Sequence, residues 1–165
     1  MNTMLPTPRR ALIELDDRKK RMLRNATGRV LDVSEHTRSE VQTLLAAGER
    51  YETIVSVLQL SMASDPAAFC TMLRDLLAPS GALRFLEPTA RAGVVGAVQH
   101  AFGPMMLRST GRRPDYDIPA TIRSVGLSIS DCERFDVRAL WPYRSFVEGV
   151  ARPVRRPDSN IEEES

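Results

Sequence analysis

The chain has 165 residues, of which 42% are hydrophobic and 27% charged, with a formal net charge of +2. That length fits a single domain with a sizeable core, and the balance is ordinary for a soluble globular protein. No apolar run approaches the ~20 residues of a membrane-spanning helix, no apolar stretch follows the first basic residues as in a secretory leader, and Glu14, Asp16 and Asp17 argue against a transit peptide, so a cytoplasmic location is expected.

Residues 1–7 read as loose. Pro8 suits the first position of a helix running to Asn25, with Leu12, Leu15, Met22 and Leu23 as apolar contacts. Its second half is basic, through Arg18, Lys19, Lys20, Arg21 and Arg24. It reads as a solvated face partly neutralised by the preceding acids rather than as a phosphate or membrane patch. Residues 29–33 form the first expected strand. Ser34 or Thr37 then caps a helix over residues 39–47, with Glu40 placed for a capping box. Val41, Leu44 and Leu45 share one face of that helix, and Gly48 stops it. Residues 53–58 are apolar and β-branched, which predicts a strand buried on both faces.

Asp65 and Pro66 supply the N-cap and first position of the next helix, which carries Phe69, Met72, Leu73, Leu76 and Leu77. A turn is expected at Pro79-Ser80-Gly81, then a third strand over residues 82–86. A Gly- and Ala-rich helix follows over 92–102, then a connection or short helix over 104–114, a short helix over 119–124 ended by Gly126, and strands over 127–135 and 145–151. Residues 136–144 have little helical pattern, so the last two strands should pair antiparallel. The tail from Pro153 is polar and charged and is expected to be flexible. The expected organisation is a helix in residues 1–27, an α/β domain over 28–152 and a tail over 153–165. Cys70 and Cys132 sit in apolar contexts and read as buried thiols. His36 and His100 lack Cys or His neighbours at ligand spacing, so no metal site is expected. His100 reads as a packing histidine, and residues 141–144 as either a pocket wall or hairpin packing. No nucleophile–base pair is visible, so no catalytic residue is assigned.

Alternating strands and helices argue for a parallel sheet with helical cover. The wording of the elements sharpens this. Val30-Leu31-Asp32-Val33, the run Tyr51-Glu52-Thr53-Ile54-Val55-Ser56-Val57-Leu58, Asp65-Pro66 with Leu73-Arg74-Asp75-Leu76-Leu77-Ala78-Pro79-Ser80-Gly81, Ala82-Leu83-Arg84-Phe85-Leu86-Glu87-Pro88, Val125-Gly126-Leu127, and Phe146-Val147-Glu148-Gly149-Val150-Ala151 follow in order. Over residues 28–152 this resembles the class I S-adenosylmethionine-dependent methyltransferases of small-molecule type. The resemblance implies a truncated Rossmann-like methyltransferase sheet of the α/β class, mainly parallel with an antiparallel C-terminal strand and helices on both faces. It also implies where a cofactor would sit: at Asp32, Ser34, Glu35, His36, Gln59 and Ser61, with Glu87 nearby, since ligands in such sheets lie at the strand carboxyl ends.

The sequence departs from that pattern in two places. Ser34, His36 and Arg38 stand where the family has a Gly-x-Gly-x-Gly turn, whose missing side chains let the backbone approach the cofactor. His36 and Arg38 add bulk there, and Arg38 adds a positive charge beside the position of the cationic sulfonium. Only residues 39–50 separate the first strand from the Tyr51 strand, where the family has two further strands, and a crossover alone needs a dozen or more residues. The missing strands would supply the acid that holds the ribose and the residues that contact the adenine. The first strand should therefore lie at a sheet edge, open to pairing. The expectation is a degenerate, non-catalytic protein, a pseudoenzyme that needs no cofactor. It would act as a homo-oligomer such as a dimer, or with a protein partner, through Val30, Leu31, Val33, Val41, Leu44 and Leu45. The alternative is an active methyltransferase holding S-adenosylmethionine in a rearranged pocket. Nucleic acid is not expected, because the basic runs at 18–24 and 108–113 lack aromatic platforms or a recognisable motif.

Overall fold

The β-branched, largely apolar stretch Tyr51–Val57 becomes an interior strand with every residue but Glu52 buried. A computed structural model describes residues 8–89, 116–137 and 145–154, with the side chains of 8–11 excepted. The expected helix over 92–102, the segments 104–114 and 141–144, residues 1–7 and the tail beyond 154 lie outside the described residues.

In chain order the elements are α1 (Pro8–Arg24), β1 (Val30–Asp32), a single 3-10 turn (Val33–Glu35), α2 (Arg38–Ala46), β2 (Tyr51–Val57), α3 (Pro66–Leu76), β3 (Leu77–Pro88), α4 (Ile118–Ser124), β4 (Leu127–Asp136) and β5 (Ser145–Pro153). The local signals that start the helices are in place. Thr37 and Glu40 form the capping box of α2, and Asp65 caps α3 ahead of Pro66, accepting from Ala68 N at 2.9 Å. Asp117 does the same for α4.

The strands form one sheet in the order β1-β2-β3-β5-β4. β1, β2 and β3 are parallel, while β5 runs antiparallel to both β3 and β4. Helices cover both faces. On one side Leu31, Ile54, Leu83, Phe85 and Val147 meet Val41 of α2, Leu73 of α3 and Ile122 of α4. On the other, Leu15 and Met22 of α1 meet Val55, Val57, Leu86 and Phe146. Ile54 and Val55 are neighbours that serve opposite faces, as the period of two requires.

Several expectations are corrected. The first strand is only Val30–Asp32, because the chain tightens into a 3-10 turn at Val33. Pro79-Ser80-Gly81 is not a turn between elements. It bulges inside β3, where the pairing passes from Tyr51↔Leu77 to Thr53↔Ala82. A Cβ on Gly81 would meet the Tyr51 carbonyl at 2.9 Å, so only glycine fits the close approach. Cys70 is buried, but Cys132 is exposed, because β4 is the far edge of the sheet.

Phe85 is fully buried, and its place is made by the missing side chain of Gly149, its partner on β5. A Cβ there would lie 2.6 Å from the Phe85 ring and 2.5 Å from the Asp131 carbonyl. Gly149→Ala is therefore expected to cost about 1–3 kcal/mol. Urea unfolding should show a lower midpoint at unchanged slope; an unchanged midpoint would contradict this packing.

Candidate functional site

The parallel strands β1, β2 and β3 end at the same side of the sheet, and two polar clusters form there. The first is built on Asp32, the last residue of β1. Its Oδ1 accepts from Ser34 N at 3.0 Å and from Ser34 Oγ at 2.5 Å, which closes the 3-10 turn. Its Oδ2 faces the ammonium of Lys19, on α1, at 2.8 Å, in an ion pair not aligned as a hydrogen bond. The same ammonium donates to Ser34 Oγ at 2.6 Å. Both charges are largely withdrawn from water, with side-chain exposures of 23% for Lys19 and 10% for Asp32, so each depends on the other for compensation.

His36 follows with Nδ1 at 2.9 Å from the Asp32 carbonyl, an acceptor, so the proton lies on that nitrogen. The Arg29 carbonyl accepts from Thr53 N of β2 at 3.2 Å, so alternation along the strand turns the Val30 and Asp32 backbone groups outward. His36 thus occupies one of the few outward acceptors of β1. Arg38, expected beside the cofactor position, instead lies over the Phe69 ring of α3 at 5.6 Å. The cation at Asp32 is Lys19, one of the basic residues expected on a solvated face. A signal was present: Lys19 falls on the apolar stripe of α1 with Leu12, Leu15 and Met22. Its neighbour Arg18 is also drawn in, bonding Glu148 of β5 at 2.6 Å and stacking over Phe135 at 3.7 Å.

The second cluster surrounds Glu87 of β3, a fully buried carboxylate. Its Oε1 accepts from the N–H groups of Gln59 (2.8 Å) and Leu60 (2.9 Å), and its Oε2 from that of Ser61 (3.1 Å). Ser56 Oγ donates from below at 3.3 Å. Burial pushes the carboxyl up from 4.5 to about 7, against the opposing pull of those N–H groups.

The expected cofactor residues thus divide. Asp32, Ser34 and His36 meet around the end of β1, and Glu35 is exposed. Gln59 and Ser61 belong to the Glu87 cluster, and Ser61 is buried. The expected interface residues divide too. Leu31, Val33 and Val41 are buried at 4%, 1% and 0% exposure and face the core, so their side chains offer nothing to a partner. Val30 is 39% exposed, and Leu44 and Leu45 are half-buried against the core.

A polar cavity of about 310 Å³ lies elsewhere, between the end of α1 and strands β3, β5 and β4, lined by Arg21, Arg84, Asp131 and Glu148 among others. It includes neither cluster. Among the described residues no group of three His, Cys, Asp or Glu gathers as metal ligands, and no helix is long and apolar enough to cross a membrane.

No family model and no curated protein matches the sequence. Solved structures do match. A protein assigned as a methyltransferase from Bacillus halodurans C-125 aligns at TM-score 0.56 and 10% identity, over 84% of this chain and 100% of that one. The [4+2]-cyclase SpnF aligns at 0.61 and 12% identity, over 94% and 86%. A chain from the complex between the Haloferax volcanii Trm112 methyltransferase activator and a methyltransferase aligns at 0.54 and 10%, over 88% and 94%. The likeness establishes the fold, a class I methyltransferase-like α/β sheet, as the sequence resemblance implied. One of the three being a cyclase, the fold alone does not name a reaction.

Glu87 carries a pH dependence. Its folded pKa of about 7 lies above the ordinary 4.5, so between those values the folded state holds a proton that the unfolded state has released. Its contribution to stability is therefore greatest below 4.5, falls as pH rises toward 7, and is level above, with a total on the order of 3 kcal/mol. The stability of the wild type minus that of Glu87→Gln, from urea titrations between about pH 5 and pH 8, should fall with rising pH. A flat or rising difference would contradict the burial argument.

Proposed function

We propose that this chain is a non-catalytic, methyltransferase-like protein that works by association along the β1 side of its sheet, with a second copy or another protein. The observation that carries this is the Lys19 ammonium at Asp32 and Ser34. In a cofactor-binding relative of this fold, the end of the first strand is where S-adenosylmethionine approaches the backbone. Here a cation from the chain's own helix takes the carboxylate and the hydroxyl. A second positive charge, the sulfonium, gains nothing by arriving there. His36 contributes a side chain where the cofactor turn has none, and Ser61 N–H is committed to Glu87. The donor set supports no fit to S-adenosylmethionine, and no methyl-transfer step is derived.

Association is supported by topology. Among the described residues β1 has a neighbour on one side only; Val30 is exposed on the face that α1 covers, and Leu44 and Leu45 are half-buried on the α2 face. The Trm112 complex among the fold relatives is a weak precedent for a methyltransferase-like chain with a protein partner.

Two outcomes follow. Millimolar S-adenosylmethionine or S-adenosylhomocysteine should leave the melting temperature unchanged, because a ligand that does not bind the folded state cannot stabilise it. A rise of several degrees would return the chain to the cofactor-binding enzymes. Sedimentation equilibrium should show self-association, or co-purification from cells a stoichiometric partner, and Val30→Arg should weaken either about tenfold or more without changing stability. A strict monomer with no partner, or an association indifferent to Val30→Arg, would sink the interface.

A further inference from the structure

Leu58 is the only non-glycine residue with positive φ among the described residues, at +59°. It follows the last residue of β2, and its N–H donates to the Leu86 carbonyl at 2.9 Å. A leucine in the left-handed region is strained and stays there only where its surroundings hold it. The turn that results aims three consecutive N–H groups, of Gln59, Leu60 and Ser61, into one concavity, a geometry suited to an anion. The anion is the chain's own Glu87.

Among the described residues, the elements around that carboxylate bring it the following groups. β2 offers the Ser56 hydroxyl. α3 brings the Cys70 thiol, pushed up to about 12 first by burial and further by the charge of Glu87. Arg74, one turn along α3, acts on Cys70 in the opposite sense and spends its donors on Asp75 and the Val125 carbonyl. α4 contributes apolar Ile118 and Ile122 to the same core, and β5 places Val147 opposite Glu87. Among the described residues no cation pairs with Glu87.

We propose that Glu87 is a proton-operated latch on the loop of residues 58–65: ionised, it holds the loop by three N–H groups, and protonated, it releases Ser61 and loosens the outer half of the loop. The division of bonds sets which part moves. Oε1 already accepts two N–H groups, so an added proton, taken from solvent, goes to Oε2. A protonated oxygen is a much poorer acceptor than a carboxylate oxygen, so the bond from Ser61 N–H is the one that weakens. Ser64, three residues on, accepts from the Tyr116 hydroxyl at 3.4 Å, and the Tyr116 carbonyl accepts from Thr89 Oγ1 at 3.2 Å. Release of the loop therefore reaches the entry to α4. Burial brings the titration to about 7, where modest acidification works the latch. The inference does not depend on whether a cofactor binds.

The test is a nuclear magnetic resonance titration across neutral pH that follows the Glu87 carboxyl carbon and the amides of residues 59–61. The carboxyl and the three amides should share one midpoint near neutrality. Ser61 should lose about tenfold or more of its exchange protection on the acid side, after correction for the intrinsic rate. Glu87→Gln should give the acid pattern at every pH. His36→Asn should leave the titration in place, which separates it from imidazole. A carboxyl signal flat across neutrality, amides that do not follow it, or a titration lost with His36 would overturn the latch. If Glu87→Gln fails to fold, the wild-type carboxyl and amide signals decide alone.

Discussion

A lysine on the apolar stripe of a helix cannot be packed against a sheet without an anion to meet it. The ion pair of Lys19 with Asp32 is the constraint on which the rest of this structure depends. It fixes where α1 lies, because the helix must bring its ammonium to the end of β1 while Leu15 and Met22 reach the β2–β3 face. Arg18, one residue earlier, reaches Glu148 on β5 from the same docking. Two adjacent cations are thus tied to strands on opposite sides of the β2–β3 pair, so α1 has a defined register across the sheet. Ion pairs of this kind are weak as net stabilisers, but removal of one partner strands the other. Their role is to specify position.

The same pair shapes the end of β1. A three-residue strand with one neighbour among the described residues has little to hold it, and its closing turn is made by side chains. Asp32 gathers Ser34, His36 gathers the Asp32 carbonyl, and Thr37 and Glu40 start the next helix at once. The turn at the end of β1 is held by these side-chain bonds. The strand is also a blunted edge, short and rimmed with charge, the way natural sheets limit unwanted pairing. What remains open to another chain is the exposed Val30 and the ground beside it.

Much of the fold was legible because it rests on local rules. The capping box at Thr37, the cap and proline at Asp65-Pro66, the doubly buried strand before Leu58 and the antiparallel final pair all follow from spacing and residue type. The edge position of β1 was legible from a count, since residues 39–50 cannot hold two strands and a helix. What failed depended on partners distant in sequence. Pro79-Ser80-Gly81 carries every mark of a turn, yet pairing with Tyr51 on one side and Thr53 on the other draws it into a bulge. Leu31, Val33 and Val41 looked free for a partner, and only the placement of α2 and α3 shows that their own core claims them. Lys19 looks like surface because a run of basic residues hides which one points inward. The apolar context of Cys132 suggests burial, and no local pattern marks its strand as lying at the end of the sheet.

The direct measurement is a double-mutant cycle on Lys19→Met and Asp32→Asn, with stability read from urea unfolding at low and high salt. If the ammonium closes the end of β1, the two substitutions should couple by about 1 kcal/mol or more, and the coupling should largely survive salt because both groups are withdrawn from water. Additivity within about 0.3 kcal/mol, or a coupling abolished by salt, would mean that Lys19 is a solvated side chain and that the end of β1 is open.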